Sequence, residues 1–121
     1  TEIYVKEIED GIGETGIKAG AIKIATGAPQ VSDYERKLVT AAARAARITG
    51  VPLISHTQNA CCGHDQIDMV TGEGVPANQL LVGHSDGTDD HAYQKSLADR
   101  GAYVGFDRFG ISLFQPDEVR I

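Results

Sequence analysis

KLVTAAARAARITGVPLISHT, running from Lys37 to Thr57, is the stretch that decides the fold. Its first part is rich in alanine, the strongest helix former, and Gly50 supplies a C-terminal stop. Upstream, Ser32 and Glu35 have the S-x-x-E spacing of a capping box. Directly after the stop, Pro52 to His56 reads as a short apolar strand that ends on a histidine.

Outward from this stretch the alternation continues in both directions. Residues 1 to 12 carry Ile3, Tyr4, Ile8 and Ile12 at helical spacing with charges between them, which predicts an amphipathic helix that stops at the glycines. A strand is expected over residues 20 to 26, within AIKIATG. After His56 come a loop from Thr57 to Gly63, a helix from Asp65 to Val70 or beyond, and a strand from Leu80 to Gly83. Thr88, Asp89 and Asp90 have the character of an N-cap and acidic first turn for HAYQKSLADR, and Ala102 to Asp107 reads as a fourth strand. Four βα repeats of roughly 25 to 33 residues result, the spacing of successive right-handed βαβ units.

Composition excludes several classes of function. The formal charge of −6 over 121 residues leaves no basic stripe for nucleic acid or an anionic membrane. No run of about 18 apolar residues is present for a membrane span, and TEIYVKEIED has neither region of a signal peptide. A soluble, cytoplasmic domain acting on a small neutral or polar molecule is the expectation. Cys61 and Cys62 are adjacent, a poor placement for pairing with each other, and are expected as free thiols.

The residues that carry chemistry sit at matching places in successive strands: Lys23 in AIKIATG, His56 in PLISHT and His84 in LLVGHSD. In a parallel sheet such positions fall at the carboxyl ends of adjacent strands, where α/β folds build their active sites. A lysine inside an apolar strand faces a desolvation cost of several kcal/mol unless paired or neutralised. Its uses there are a Schiff base, a general base, or a metal ligand once its amine is carboxylated. Two strand-end histidines beside it favour a metal site, and neutral imidazoles suit zinc, iron or manganese. GIGETG, with Gly11, Gly13 and Gly16, matches the dinucleotide pattern by letter, but a helix precedes it and a strand follows, so a turn is expected. His64 and His91 are assigned surface or structural places. Asp86, Asp89 and Asp90 lack the spacing of a calcium loop and are expected to cap a helix, with Asp86 able to orient a ligand from behind.

The runs GIKAGAIKIATG, KLVTAAARAARITGVPLISHT, EGVPANQLLVGHSDGTDD and GAYVGFDRFG together resemble the phosphotriesterase family of the amidohydrolase superfamily, in order and spacing, over nearly the whole chain. The resemblance implies a (β/α)₈ barrel with two divalent metal ions, zinc first, with iron, cobalt or manganese as alternatives. It makes Lys23, carboxylated by CO2, the bridging ligand of the fourth strand, and His56 and His84 the ligands on strands five and six. Arg108 is similar to the arginine that phosphotriesterase-like lactonases carry at this place, where organophosphate-specialised members tend to have histidine. The implied substrate is a lactone or an organophosphate ester, and the implied catalytic set is Lys23, His56, His84 and Arg108. The family's first-strand H-x-H pair and last-strand aspartate have no counterpart here, and Gly87 stands where some members carry an acidic residue.

A complete barrel of this type takes about 250 residues. Residues 1 to 121 are therefore expected to form about half of one, strands four to seven with their helices, inactive alone. Exposed strand edges would favour a homo-oligomer. Two other readings stand beside it: a non-catalytic half-barrel that binds one metal or pairs with a copy of itself, and a flavodoxin-like module using TGAPQVSD as a phosphate loop.

Overall fold

The computed structural model describes residues 1–113 and 115–120. Among these residues four α-helices alternate with four strands: α1 (Glu2–Glu9), β1 (Ile22–Thr26), α2 (Asp33–Thr49), β2 (Leu53–Thr57), α3 (Gly63–Gly72), β3 (Leu80–Val82), α4 (His91–Asp99) and β4 (Tyr103–Val104). The strands form one parallel sheet in sequence order, β1-β2-β3-β4. Parallel neighbours in sequence order, each joined through a helix, are the repeating step of a (β/α) barrel wall.

Local chemistry explains why α2 begins and ends where it does. The Ser32 hydroxyl accepts from the Glu35 N–H at 3.3 Å, while Glu35 Oε2 accepts from the Ser32 N–H at 2.8 Å, closing the capping box. Gly50 ends the helix in the left-handed region, at φ 77°, and returns its N–H to the Ala46 carbonyl at 2.7 Å. Between these caps Val39, Ala42, Ala43, Ala45 and Ala46 are fully buried. The small side chains let α2 lie close against Ile22, Ile24 and Leu53, which share its core with Ile67, Val70, Leu80, Val82 and Leu97.

Strand alternation then sorts the residues by face. In β1, Ile22, Ile24 and Thr26 are buried while Lys23 and Ala25 are not. In β2, Leu53, Ser55 and Thr57 are buried and Ile54 and His56 lie on the opposite face. Side chains two apart share a face, so Lys23 and His56 stand together on the face turned away from the helix-packed core. The register corrects their relative height. Ala25 pairs with His56, and Lys23 pairs with Ile54. Lys23 thus starts two residues, about 6.6 Å, below the level of His56.

Two expected strands are shorter than the sequence suggests. β3 stops at Val82 and β4 at Val104, because glycines take over the contact at their ends. A Cβ on Gly83 would lie 2.3 Å from the Ser55 carbonyl oxygen, and one on Gly105 would lie 3.0 Å from Gly83 Cα. Only glycine allows these backbones to close so tightly. The pairing continues irregularly, with Gly105 N–H on the Val82 carbonyl at 2.8 Å and Ser85 N–H on the Gly105 carbonyl at 3.0 Å.

Residues 10 to 17 form the turn between α1 and β1 that GIGETG predicts, closed by the Ile12 N–H on the Ile17 carbonyl at 2.8 Å. The phosphate-loop reading of TGAPQVSD fails for a specific reason. The Gly27 N–H, the donor that would meet a phosphate, is held at 2.7 Å by the Glu35 carboxylate. At α4 the cap is Asp90, whose carboxylate accepts from the Tyr93 N–H at 2.9 Å. No described helix is long and apolar enough to cross a membrane.

Candidate metal-ligand cluster at the strand ends

His56 and His84 meet across the carboxyl edge of the sheet, with ring centroids 4.7 Å apart and planes at 78°. His56 is the fourth residue of β2, and its Nε2 lies 3.2 Å from Gln58 Oε1 in the following 3-10 turn. His84 lies two residues beyond the end of β3, at φ 61° and ψ 26°. A non-glycine residue in this region costs about 1–2 kcal/mol, and such strain marks places where a side chain is being aimed.

Asp107, just beyond β4, holds His84 in that conformation. Its carboxylate accepts from the His84 backbone N–H at 3.1 and 3.3 Å and meets Nδ1 at 2.7 Å. A carboxylate only accepts, so Nδ1 carries the hydrogen and the Nε2 lone pair is left for a ligand. Among the described residues no hydrogen bond reaches Nε2. This is the arrangement of a metal-binding histidine with an acidic partner behind it. From sequence alone Asp86 is the acid expected in that place. Asp86 is instead fully buried, accepting from the Arg108 N–H at 2.9 Å and pairing with Arg120 at 3.2 Å. It caps no helix and makes no hydrogen bond to His84; it fastens residues 108 and 120 beneath the turn at 85–87.

Lys23 donates from Nζ to the Ser55 carbonyl at 2.9 Å, and among the described residues no carboxylate pairs with it. Arg108 is buried under the same turn as Asp86, with Nη1 at 3.3 Å from where a Cβ on Gly87 would stand. A glycine at 87 therefore leaves the guanidinium room that a side chain would narrow. His64 lies away from the cluster, between Ser96 Oγ at 2.9 Å and Arg100 at 3.1 Å, and His91 meets Gln94 at 2.9 Å.

Gln66 belongs to this cluster as well as Asp107. From α3, the buried Gln66 amide donates to Thr26 Oγ1 at 2.8 Å and to the His56 carbonyl at 3.0 Å, tying the ends of β1 and β2 together. Nothing in its local pattern marks a glutamine for this task. Asp107 did carry a signal: an acidic residue at a strand end, one strand over from His84.

The donors suit a divalent cation in kind, with two imidazoles side by side and one nitrogen fixed by a carboxylate. In number they fall short: among the described residues no three His, Cys, Asp or Glu side chains gather round one point.

Comparison with known proteins places the chain in a family. The phosphotriesterase family model matches residues 1–121. An aryldialkylphosphatase from Saccharolobus solfataricus is 38% identical over 98% of the chain. A lactonase structure from Listeria monocytogenes superposes with a TM-score of 0.94 at 34% identity, covering 98% of this chain and 36% of that one. The Escherichia coli phosphotriesterase homology protein, solved with phosphate in its active site, gives 0.93 at 38% identity, over 96% and 40% of the two chains. The chain belongs to the phosphotriesterase family, and its fold is part of a (β/α)₈ barrel. It spans 37% to 38% of the length of curated relatives such as the S. solfataricus enzyme and a homologue from Mycobacterium tuberculosis.

Proposed function

We propose that this chain supplies one wall of the active site of a metal-dependent hydrolase that opens a lactone or a phosphotriester. The observation that carries the reading is the fixed His84 imidazole beside His56, on the sheet edge where barrel enzymes hold their catalytic groups.

His56 and His84 would hold one divalent cation, zinc first, with iron, cobalt or manganese as alternatives. Lys23, carboxylated by CO2, would hold that ion and a second one. Bound there, the ions would lower the pKa of a water and polarise the carbonyl or phosphoryl oxygen of the ester. The chain's own residues do the positioning. Asp107 fixes the His84 tautomer, Gln58 and Gln66 fix His56 through its ring and its carbonyl, and Ser55 receives the Lys23 amine. Carboxylation of Lys23 forms an N–C bond to CO2 and, starting from the ammonium, releases two protons from nitrogen, replacing a cation with an anionic ligand. Arg108, directly after Asp107, would position the substrate or steady the departing proton by hydrogen bonds. The remaining ligands would come from residues outside this chain, which makes the isolated chain inactive.

Lactones and organophosphate esters are the substrate classes, because relatives are described as a lactonase and as an aryldialkylphosphatase. The test is hydrolysis of both classes by the full-length protein and its Lys23→Ala and His56→Ala variants. The reading requires both variants to lose activity and bound metal together.

A second reading, a self-associating half-barrel, is favoured by the outer edges of β1 and β4, which have no strand partner among the described residues. It predicts a homodimer of this chain by light scattering, with no hydrolysis.

A further inference from the structure

The turn between β2 and α3 holds three non-glycine residues in the left-handed region, Asn59 (φ 53°), Ala60 (φ 51°) and Cys62 (φ 65°). Each costs of order 1–3 kcal/mol and persists only where the surroundings impose it. The consequence is that two adjacent thiols face the same way. Cys61 Sγ and Cys62 Sγ stand 3.0 Å apart, and both point at the Pro29 carbonyl, at 3.3 and 3.7 Å. Adjacent cysteines are poorly placed to pair, and both thiols are free here; the left-handed Cys62 nevertheless brings their sulfurs together.

The separation selects the chemistry. It exceeds a covalent S–S bond by only about 1 Å. A tetrahedral ion about 2.3 Å from each sulfur would instead spread them to about 3.8 Å. We propose that Cys61 and Cys62 are a redox-responsive dithiol that closes reversibly to a vicinal disulfide by exchange with a low-molecular-weight disulfide. Cys61 is half-buried and Cys62 is only 8% exposed, so the incoming disulfide reaches Cys61 first. The Cys61 sulfur attacks one sulfur of the reagent, its proton passing to the released thiolate. The Cys62 sulfur then attacks Cys61 Sγ, breaking the mixed disulfide and giving its proton to the second leaving thiolate. Two protein thiols are oxidised and one reagent disulfide is reduced to two thiols.

The product is poised for reversal. Adjacent Cα atoms are about 3.8 Å apart, shorter than the usual span of about 4.4–6.8 Å for a disulfide, and strain of this kind makes the bond easier to reduce. Burial, ahead of the Cys61 hydrogen bond, pushes the Cys62 thiol up to about 12, so Cys62 enters the exchange as a thiol. The dithiol is also tied to the strand-end cluster. The Cys61 N–H donates to the Gln58 carbonyl at 3.0 Å, and the Gln58 side chain meets His56. The proposal does not depend on the hydrolase reading.

The test is to treat the full chain with oxidised glutathione, remove the reagent, alkylate with iodoacetamide in denaturant, and measure the intact mass. The chain has two cysteines. The expected product is a monomer lighter by two hydrogens with no alkylation, against two alkylations after reduction with dithiothreitol. Cys62→Ser should instead keep one glutathione on Cys61. Running the oxidation in urea should remove most of the vicinal product, because the fold no longer aligns the sulfurs. A retained glutathione adduct on the native sequence, a disulfide-linked dimer, two alkylated thiols, or an undiminished yield in urea would overturn the proposal.

Discussion

Asp107 grips His84 twice, through the backbone N–H at 3.1 Å and through ring Nδ1 at 2.7 Å. The two contacts act on one problem. The first supports a backbone conformation that a histidine rarely adopts, and the second sets which ring nitrogen is offered to the site.

Replacing Asp107 should therefore weaken metal binding without removing a ligand. In the full-length protein, Asp107→Ala is expected to lower metal affinity by about 10- to 100-fold, the usual cost of losing the group behind a ligating histidine. Competition with a chromogenic chelator measures it. Unaltered affinity would mean that His84 is aimed by something else.

Gly83 tests the close approach of β3 to β2. Gly83→Ala places a methyl 2.3 Å from the Ser55 carbonyl oxygen, where backbone has to move, and should cost about 1–3 kcal/mol or more. Gly20→Ala, where nothing lies within 4 Å, should stay within about 0.5 kcal/mol of the parent. Urea midpoints of the two variants decide it.

How much of this was legible follows from the range of each interaction. The start and stop of α2 were readable, because Ser32, Glu35 and Gly50 act on backbone within one turn of themselves. The parallel βα alternation was readable for the same reason, and so were the two strand-end histidines. The height of Lys23 was not, since register is decided between strands: Lys23 opposes Ile54 rather than His56. That Asp107 rather than Asp86 stands behind His84 was legible only in part. Both are acids near a strand end, and only the tight Gly83–Gly105 contact tells which one reaches the ring.

Glu35 gives the molecule a defined acid sensitivity. Hydrogen bonds from the Ser32 backbone, then the Ser32 hydroxyl, then the Gly27 N–H, hold its carboxyl below the ordinary value of 4.5. A lowered folded pKa means stability that is present above the unfolded value and lost as pH falls through the folded one. Glu35→Gln should be about 1 kcal/mol less stable than the parent at pH 7. The difference should shrink below pH 4.5. Urea titrations at pH 7 and in acid check the sign; a gap that widened in acid would refute it.

Gln66 should matter through the strand ends it joins. Gln66→Leu leaves Thr26 Oγ1 and the His56 carbonyl without their buried donor, a loss of about 1–3 kcal/mol. Amide exchange should rise first at the ends of β1 and β2. A uniform rise across all four strands would show that Gln66 serves the core in general.

If His56, His84 and Lys23 hold the catalytic metal, metal content per chain reads it out. Elemental analysis of the full-length protein, with native intact mass to detect a carboxyl adduct on Lys23, should find two divalent ions and the adduct in the parent. Both should be lost in Lys23→Ala, and metal should fall in His56→Ala and His84→Ala. Unchanged metal stoichiometry across these variants would mean that these three residues hold no metal.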